Sequence, residues 1–512
     1  MKKLQRNKIG REVPEHIVQM GDVKPYIRSG KRKENYITES DKVYTGKVVG
    51  SLKEAIIKSG LQDGMTISFH HHLRAGDMVL PKVMEAIDEL GIKDLTICAS
   101  SLTSSHECLI DYIKKGVVKG LQTSGMRGEL GKQVSRGILD TAVVFRTHGG
   151  RARAIQKGDV TIDVAFIATS CCDDMGTMNG QQGPSAFGSM GYAMVDARYA
   201  KKVVAVTDNL VDFPAYPVSI PQTLVDIVAV IDQIGDPELM GQGATRKTKN
   251  PVELTIAEYA SKVLIASGLI KNGFSYQAGT GGVSLAVVRF LRDYMKENHI
   301  IGSFGSGGIT STMVELLNEG LFTGLLDVQT FDKGAVESIR YNGNHIEMDA
   351  GTYADPLTKG CVTNNLDIMI LSATEVDVNF NVNVLTASNG NVMGALGGHP
   401  DTAAGAKLAI VVCPLVRKRI PIVVDEVQTI CTPGPSVDVV VTERGIAVNP
   451  NNPLLKAELV KAGLPVCDIK ELRDKAYSIT GKPNPPKFGN DIIGVVEYRD
   501  GTVIDMIKNV ID

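Results

Sequence analysis

Ser59-Gly60-Leu61-Gln62-Asp63-Gly64-Met65 closes a helical pattern and opens a β-branched run, Met65 to Phe69. Nearly the same phrase returns as Ser267-Gly268-Leu269-Ile270-Lys271-Asn272-Gly273-Phe274. Each copy leads into a strand-like stretch, a polar turn with glycine and a helical period, from Val79 in the first copy and over Leu285 to Met295 in the second. A second pair keeps the same order: Ile162-Asp163-Val164-Ala165-Phe166 and Leu366-Asp367-Ile368-Met369-Ile370. Two diverged copies of one α/β unit account for the matching order.

Between these markers, short apolar runs alternate with helical segments. Asp94 to Ala99, Ala142 to Phe145, Val160 to Ile167 and Val203 to Thr207 read as strands. Strands separated by helices imply parallel sheets covered on both faces. A polar break runs from Gly235-Asp236-Pro237 to Asn250-Pro251 and carries the cluster Arg246-Lys247-Thr248-Lys249. The expected organisation is an N-terminal extension over 1–49, a first α/β domain over 50–240 and a second over 241–512. The extension, densest in charge at Lys31-Arg32-Lys33, reads either as a solvated arm or as a segment that docks on a partner subunit.

Composition narrows the function. The net charge of -2 gives no field of one sign for nucleic acid, and with no Trp and 5% aromatics there is little to stack on bases. The eight cysteines form no CxxC pair and no Cys/His ladder of zinc spacing, so free thiols are expected and no metal site in this chain. Met1-Lys2-Lys3 is not followed by an apolar core, so no secretory signal is expected. The longest apolar run, Leu408 to Val424, is broken by Pro414 and Arg417-Lys418-Arg419, short of the ~20 residues of a membrane span. The expectation is a cytoplasmic chain without membrane or nucleic-acid partners.

Several glycine turns carry chemistry. Gln277-Ala278-Gly279-Thr280-Gly281-Gly282 lies between a strand and a helix, where glycines let a backbone approach an anion and a helix N-terminus favours it. It lacks both dinucleotide and Walker spacing and reads equally as a tight turn. Gly305-Ser306-Gly307-Gly308 precedes a second helix and reads as a ligand loop or a simple cap. Ser68-Phe69-His70-His71-His72-Leu73-Arg74 reads as an anion turn with Arg74, since three consecutive His cannot face one metal from a regular element. Thr123-Ser124-Gly125-Met126-Arg127-Gly128 and His148-Gly149-Gly150-Arg151 present guanidinium forks to a polycarboxylate, or pair with neighbouring acids. No Ser-His-Asp spacing or paired catalytic acids stand out.

The stretch Asn381 to Asp401 reads as a strand, a polar turn and a glycine-rich loop with a His. Its turn Ala387-Ser388-Asn389-Gly390 looks like the nucleophile turn of acyl-CoA:carboxylate CoA-transferases, most of which place a glutamate where this chain has Ser388. With Phe380-Asn381-Val382-Asn383-Val384-Leu385-Thr386, Gly243-Ala244-Thr245-Arg246, Gly445-Ile446-Ala447-Val448-Asn449-Pro450 and the repeats above, the chain from about Leu52 onward resembles the citrate lyase alpha-subunit family. The resemblance implies two tandem open α/β domains of the NagB/RpiA/CoA-transferase-like type with the active site between them. It implies transfer from an acetyl-[acyl carrier protein], or acetyl-CoA, to citrate, giving a citryl thioester and acetate. The partners implied are citrate, an acyl carrier (gamma) subunit with a dephospho-CoA-derived prosthetic group, a citryl lyase (beta) subunit and further copies of the chain. With serine at 388, a ternary complex and a mixed anhydride are expected in place of an enzyme-bound thioester. Catalysis is then expected from Ser388, Asn389, Gly397 and Gly398, and citrate binding from His70, Arg74, Arg127 and Arg151. The thioester cofactor falls to Gly279, Thr280, Gly281, Gly282, Gly307 and Gly308. The alternatives are a glutamate-dependent CoA-transferase using Glu375, Asp377 or Asp401, and a non-catalytic scaffold of a lyase complex.

Overall fold

The computed structural model describes residues 4–6, 12–14, 46–241, 248–279 and 281–511. Its contacts divide the chain into Met1–Gly46 and Lys47–Asp512. In the first unit Leu4–Arg6 and Glu12–Pro14 pair antiparallel; the rest of the expected extension lies outside the described residues.

In the second unit two large sheets repeat one topology. The first uses β1 (Val48–Val49), β2 (Thr66–Phe69), β3 (Leu95–Ala99), β4 (Val118–Thr123), β5 (Val143–Arg146), β6 (Val164–Thr169), β7 (Lys202–Thr207) and β8 (Ile227–Val230). The second uses β9 (Tyr276–Ala278), β10 (Gly302–Ile309), β11 (Phe322–Thr330), β12 (His345–Glu347), β13 (Ile368–Ser372), β14 (Leu408–Val412), β15 (Val439–Thr442), β16 (Gly445–Val448) and β17 (Val466–Cys467). The spatial order β5-β4-β3-β2-β6-β7-β8 in one is β12-β11-β10-β9-β13-β14-β15 in the other, and all of these neighbours pair in parallel.

The repeated phrases explain themselves in this frame. Helix α1 (Leu52–Ser59) ends on Gly60 at φ 72, and Gly64 turns at φ 80 into β2. Helix α2 (Pro251–Ala266) is followed by Gly268 at φ 70 and Gly273 at φ 84 before β9. These left-handed angles suit glycine because it lacks a Cβ. Asp163 accepts the N–H of Thr66 at 2.8 Å, and Asp367 accepts that of Ser275 at 2.8 Å, so each copy ties strand to strand in one way.

In each copy the chain steps outward from β2 or β9 and then returns to the other side at β6 or β13. The carboxyl ends of those strands are where an open α/β sheet leaves a crevice. The last two strands, β18 (Phe488–Glu497) and β19 (Val503–Val510), pair with each other and then with β5. Residues that the sequence reading grouped with the second domain thus extend the first sheet. No helix among the described residues is long and apolar enough to cross a membrane.

Candidate functional site

The carboxyl ends of β2 and β9 meet across a cleft of about 470 Å³. Its wall includes Arg74 and Arg127 and, among the described residues, no Asp, Glu or Lys.

Arg74 leaves β2 at φ 52, a left-handed conformation rare for a side chain with a Cβ. Its carbonyl is held there by the hydroxyls of Thr103 at 2.9 Å and Ser105 at 3.1 Å. The guanidinium lies 4.8 Å over the Phe331 ring, and its Nη1 is buried without a partner. Burial, with Arg127 adding repulsion, lowers its pKa to about 10, still charged at neutral pH. Arg127 enters from the turn before the helix Gly128–Ser135 and has no ion-pair partner among the described residues.

That turn presses on the glycine-rich loop of the other half. Met126 N–H donates to the Gly394 carbonyl at 3.0 Å, and Leu396 N–H to the Ser124 carbonyl at 2.8 Å. A Cβ on Gly125 would lie 2.2 Å from both the Ala395 Cα and the Gly394 oxygen. The loop continues through Gly397 at φ 53, whose carbonyl accepts His148 N–H at 2.8 Å. No hydrogen bond among the described residues uses the N–H of Gly397 or Gly398, and both line the cleft. Asp401, fully buried behind the loop, accepts from Thr147 Oγ1 at 2.7 Å and Gly149 N–H at 3.0 Å. Burial raises its pKa to about 6.

The imidazoles are neutral. Burial pulls His148 down to about 3 and His399 to about 4, and holds His71 and His72 well below the usual histidine range. His399 donates Nε2–H to the Ser372 carbonyl at 3.0 Å and accepts at Nδ1 from Thr432 at 2.7 Å. His71 stacks on Tyr192, with ring centres 5.0 Å apart. A depressed pKa contributes stability that is present above the unfolded value and lost as pH falls. Each such imidazole loses roughly 2 kcal/mol between pH 7 and pH 5, given an unfolded pKa of about 6.5. Asp401 and Glu347, raised to about 6 and 7, oppose this, since their neutral forms are favoured on acidification. Four imidazoles outweigh two carboxyls. The expected result is a thermal midpoint that falls from pH 7 to pH 5, with a shallower fall in His148→Gln; a flat or rising midpoint contradicts it.

The structure gathers Arg74, Arg127, Gly279, Gly308, Gly397 and Gly398 on one cleft and places the other expected residues that it describes off its wall. Arg151 is buried with both terminal guanidinium nitrogens on Asp196, at 2.7 and 2.8 Å, and one of them also on the Cys98 carbonyl; only its buried Nε is unpaired, so it has no free fork for a substrate. His70 is buried too, with Nε2 on the Ala168 carbonyl and Nδ1 on His72. Ser388 and Asn389 open on a different groove of about 520 Å³, beside Arg419 and Lys487. Gly281 and Gly282 open on a third, of about 450 Å³, with Arg417 and Lys418. Gly307 sits against the Gln277 amide, and Thr280 and the Gly243–Arg246 motif lie outside the described residues. Of the alternative carboxylates, Glu375 accepts from Asn383 and Gln428, Asp377 from Asn379 and Asn381, and Asp401 as above; none lines the cleft. No group of three or more His, Cys, Asp or Glu among the described residues is placed to hold a metal ion.

Sequence reasoning missed His71, His148, Gln277 and Tyr353, all on the wall. Three of them share a signal of position: His71 follows β2, His148 follows β5, and Gln277 lies within β9; Tyr353 sits in the short helix Ala350–Ala354 and has no such signal.

The family model for the citrate lyase alpha subunit (CitF) matches residues 45–510. The citrate lyase alpha chain of Klebsiella pneumoniae is 52% identical over 464 residues, 91% of each chain. That of Escherichia coli is 49% identical over 472 residues, 92% of each. A crystal structure of a citrate lyase alpha subunit in complex with citrate, from Streptococcus mutans, superposes with a TM-score of 0.90 at 50% identity, covering 99% of this chain and 100% of that one. A Pseudomonas malonate decarboxylase hetero-tetramer shares the fold, with a TM-score of 0.64 at 15% identity over 89% of this chain and 90% of that one.

Proposed function

Since the chain belongs to the citrate lyase alpha-subunit family, the citrate CoA-transferases, we propose that its own acyl transfer runs by direct attack of a citrate carboxylate on an acetyl thioester. The observation that carries this reading is the cleft wall: two guanidiniums, unspent backbone N–H groups and, among the described residues, no carboxylate.

A substrate carboxylate is ionised at pH 7, with a reference pKa near ~4, and needs no general base. Arg74 and Arg127 hold the citrate and aim one carboxylate at the thioester carbonyl. The N–H groups of Gly397 and Gly398 receive the oxyanion, each donor contributing roughly 3 kcal/mol in comparable sites. The thiolate leaves a citryl-acetyl anhydride and then attacks its citryl carbonyl. Citryl thioester and acetate result. Orienting both reactants in one water-poor cleft supplies much of the remaining acceleration.

The thioester in this reading arrives on the prosthetic arm of a carrier subunit, with acetyl-CoA as its soluble surrogate. The product passes to a lyase subunit for cleavage, and the chain works as one of several copies in that complex. His70, Arg151, Ser388 and Asn389 take no direct part.

The test is the chain alone with acetyl-CoA and citrate. Citryl-CoA and acetate are expected in equal amounts, and a folded chain making neither would leave a scaffold role. Ser388→Ala is expected to retain kcat within about threefold, as for a substitution away from the reacting atoms. A hundredfold loss would return the turn at 388 to the reaction.

A further inference from the structure

We propose that Gln277 determines substrate specificity by accepting a hydrogen bond from the hydroxyl of the acid substrate. This rests on the citrate transfer proposed above and names the group that distinguishes citrate from an acid of the same charge.

A cleft for polyanions is built of donors, and the guanidiniums and loop N–H groups here fit that description. Citrate with its carboxylates ionised accepts hydrogen bonds everywhere except at its single hydroxyl, whose hydrogen needs an acceptor. Among the described residues the wall holds no carboxylate to provide one. Gln277 does. It lies in β9 at 5% exposure, and its Nε2 donates to Tyr353 Oη at 2.7 Å. That bond fixes the amide and leaves Oε1 as a buried oxygen with no partner. Buried acceptors are rarely left unpaired, so an orphaned one on a ligand cleft marks where a donor from the ligand belongs.

The seat of this amide is built for it. Gly307, at φ 94, would place a Cβ 2.2 Å from Gln277 Nε2, so any side chain there would expel the amide. The other glutamine on the wall, Gln329, donates Nε2 to the His71 carbonyl, and its oxygen is not among the buried unpaired atoms. Arg74 Nη1, Ser124 Oγ and His148 Nδ1 are also buried and unpaired, and all three residues line the same cleft. Nη1 donates only, Oγ has a hydroxyl proton to give, and neutral His148 carries one N–H, so the amide oxygen is the one of the four that can act only as an acceptor.

The test compares citrate with tricarballylate, which has the same three carboxylates and no hydroxyl, using acetyl-CoA as donor. The wild type is expected to favour citrate by at least about a hundredfold in kcat/KM, because the deoxy acid strands the buried oxygen. Gln277→Leu and Gln277→Met remove the acceptor at similar volume. In either, the preference is expected to fall at least tenfold, chiefly by loss on citrate, while KM for acetyl-CoA stays as in the wild type. An unchanged preference in a folded, active variant overturns the inference. So does a wild type that uses or binds both acids equally, which is measurable even where the variants do not fold. A wild type inactive on citrate would instead overturn the transfer reading first, and this inference with it.

Discussion

Arg74→Ala is expected to lower kcat/KM for citrate by about 100- to 1000-fold while the fold stays as stable as before or gains. The side chain is half-buried, its guanidinium lies over Phe331, and its Nη1 is buried and unpaired. Such a group costs desolvation in the empty protein and is repaid when a carboxylate arrives. Two charge-assisted hydrogen bonds at the lower end of the roughly 1.5–3 kcal/mol range, about 3–4 kcal/mol together, would be lost from the complex, which is the stated range of rates. Removing the side chain also removes the unpaired charge, so the thermal midpoint should not fall. Arg74→Lys keeps charge but not the fork and should recover only part of the loss. Steady-state kinetics in citrate beside a melting curve decides it. Near-normal citrate kinetics would take Arg74 out of the site. A large drop in midpoint would make its role structural.

Gly125→Ala should be nearly as damaging without touching any substrate. Its Cβ would meet main chain at 2.2 Å on two sides, and main chain cannot swing away as a long side chain can. The turn would withdraw from the loop, breaking the Met126–Gly394 and Leu396–Ser124 bonds that set Gly397 and Gly398. A kcat lower by about 100-fold and a loss of roughly 2–4 kcal/mol in stability are expected. Wild-type kcat in this variant would mean that the loop is positioned independently of the first sheet.

The doubled architecture was readable because its signals are local. Glycines at 60, 64, 268 and 273 take left-handed angles, and Asp163 and Asp367 tie strand starts in matching ways. The glycines sit within a few residues of the elements they control, and each aspartate immediately precedes one of the two strands that it joins. The site was readable only where local chemistry and tertiary placement coincide. Arg74 and Arg127 stand at turns that open on the cleft. Arg151, read as part of a similar glycine turn, lies in the helix His148–Lys157, where Asp196, 45 residues away, claims it. The turn at Ser388 carries the family's pattern, yet Gly390 packs it against Phe488 and Val510 of the strands that return from the far end of the chain. No spacing in the sequence states to which sheet those strands return. Gln277 was passed over inside a glycine motif because its value lies in an unpaired oxygen, which exists only once Tyr353 and Gly307 are in place.

In the proposed transfer the substrate's own acid is the attacking group, in keeping with a cleft wall that has no carboxylate among the described residues, and a single turnover with citrate labelled by oxygen-18 in its carboxylates tests that directly. Direct attack places one labelled oxygen in the first acetate released and none on the protein. Unlabelled acetate from that first turnover, with label or thioester left on a side chain of this chain, would contradict it.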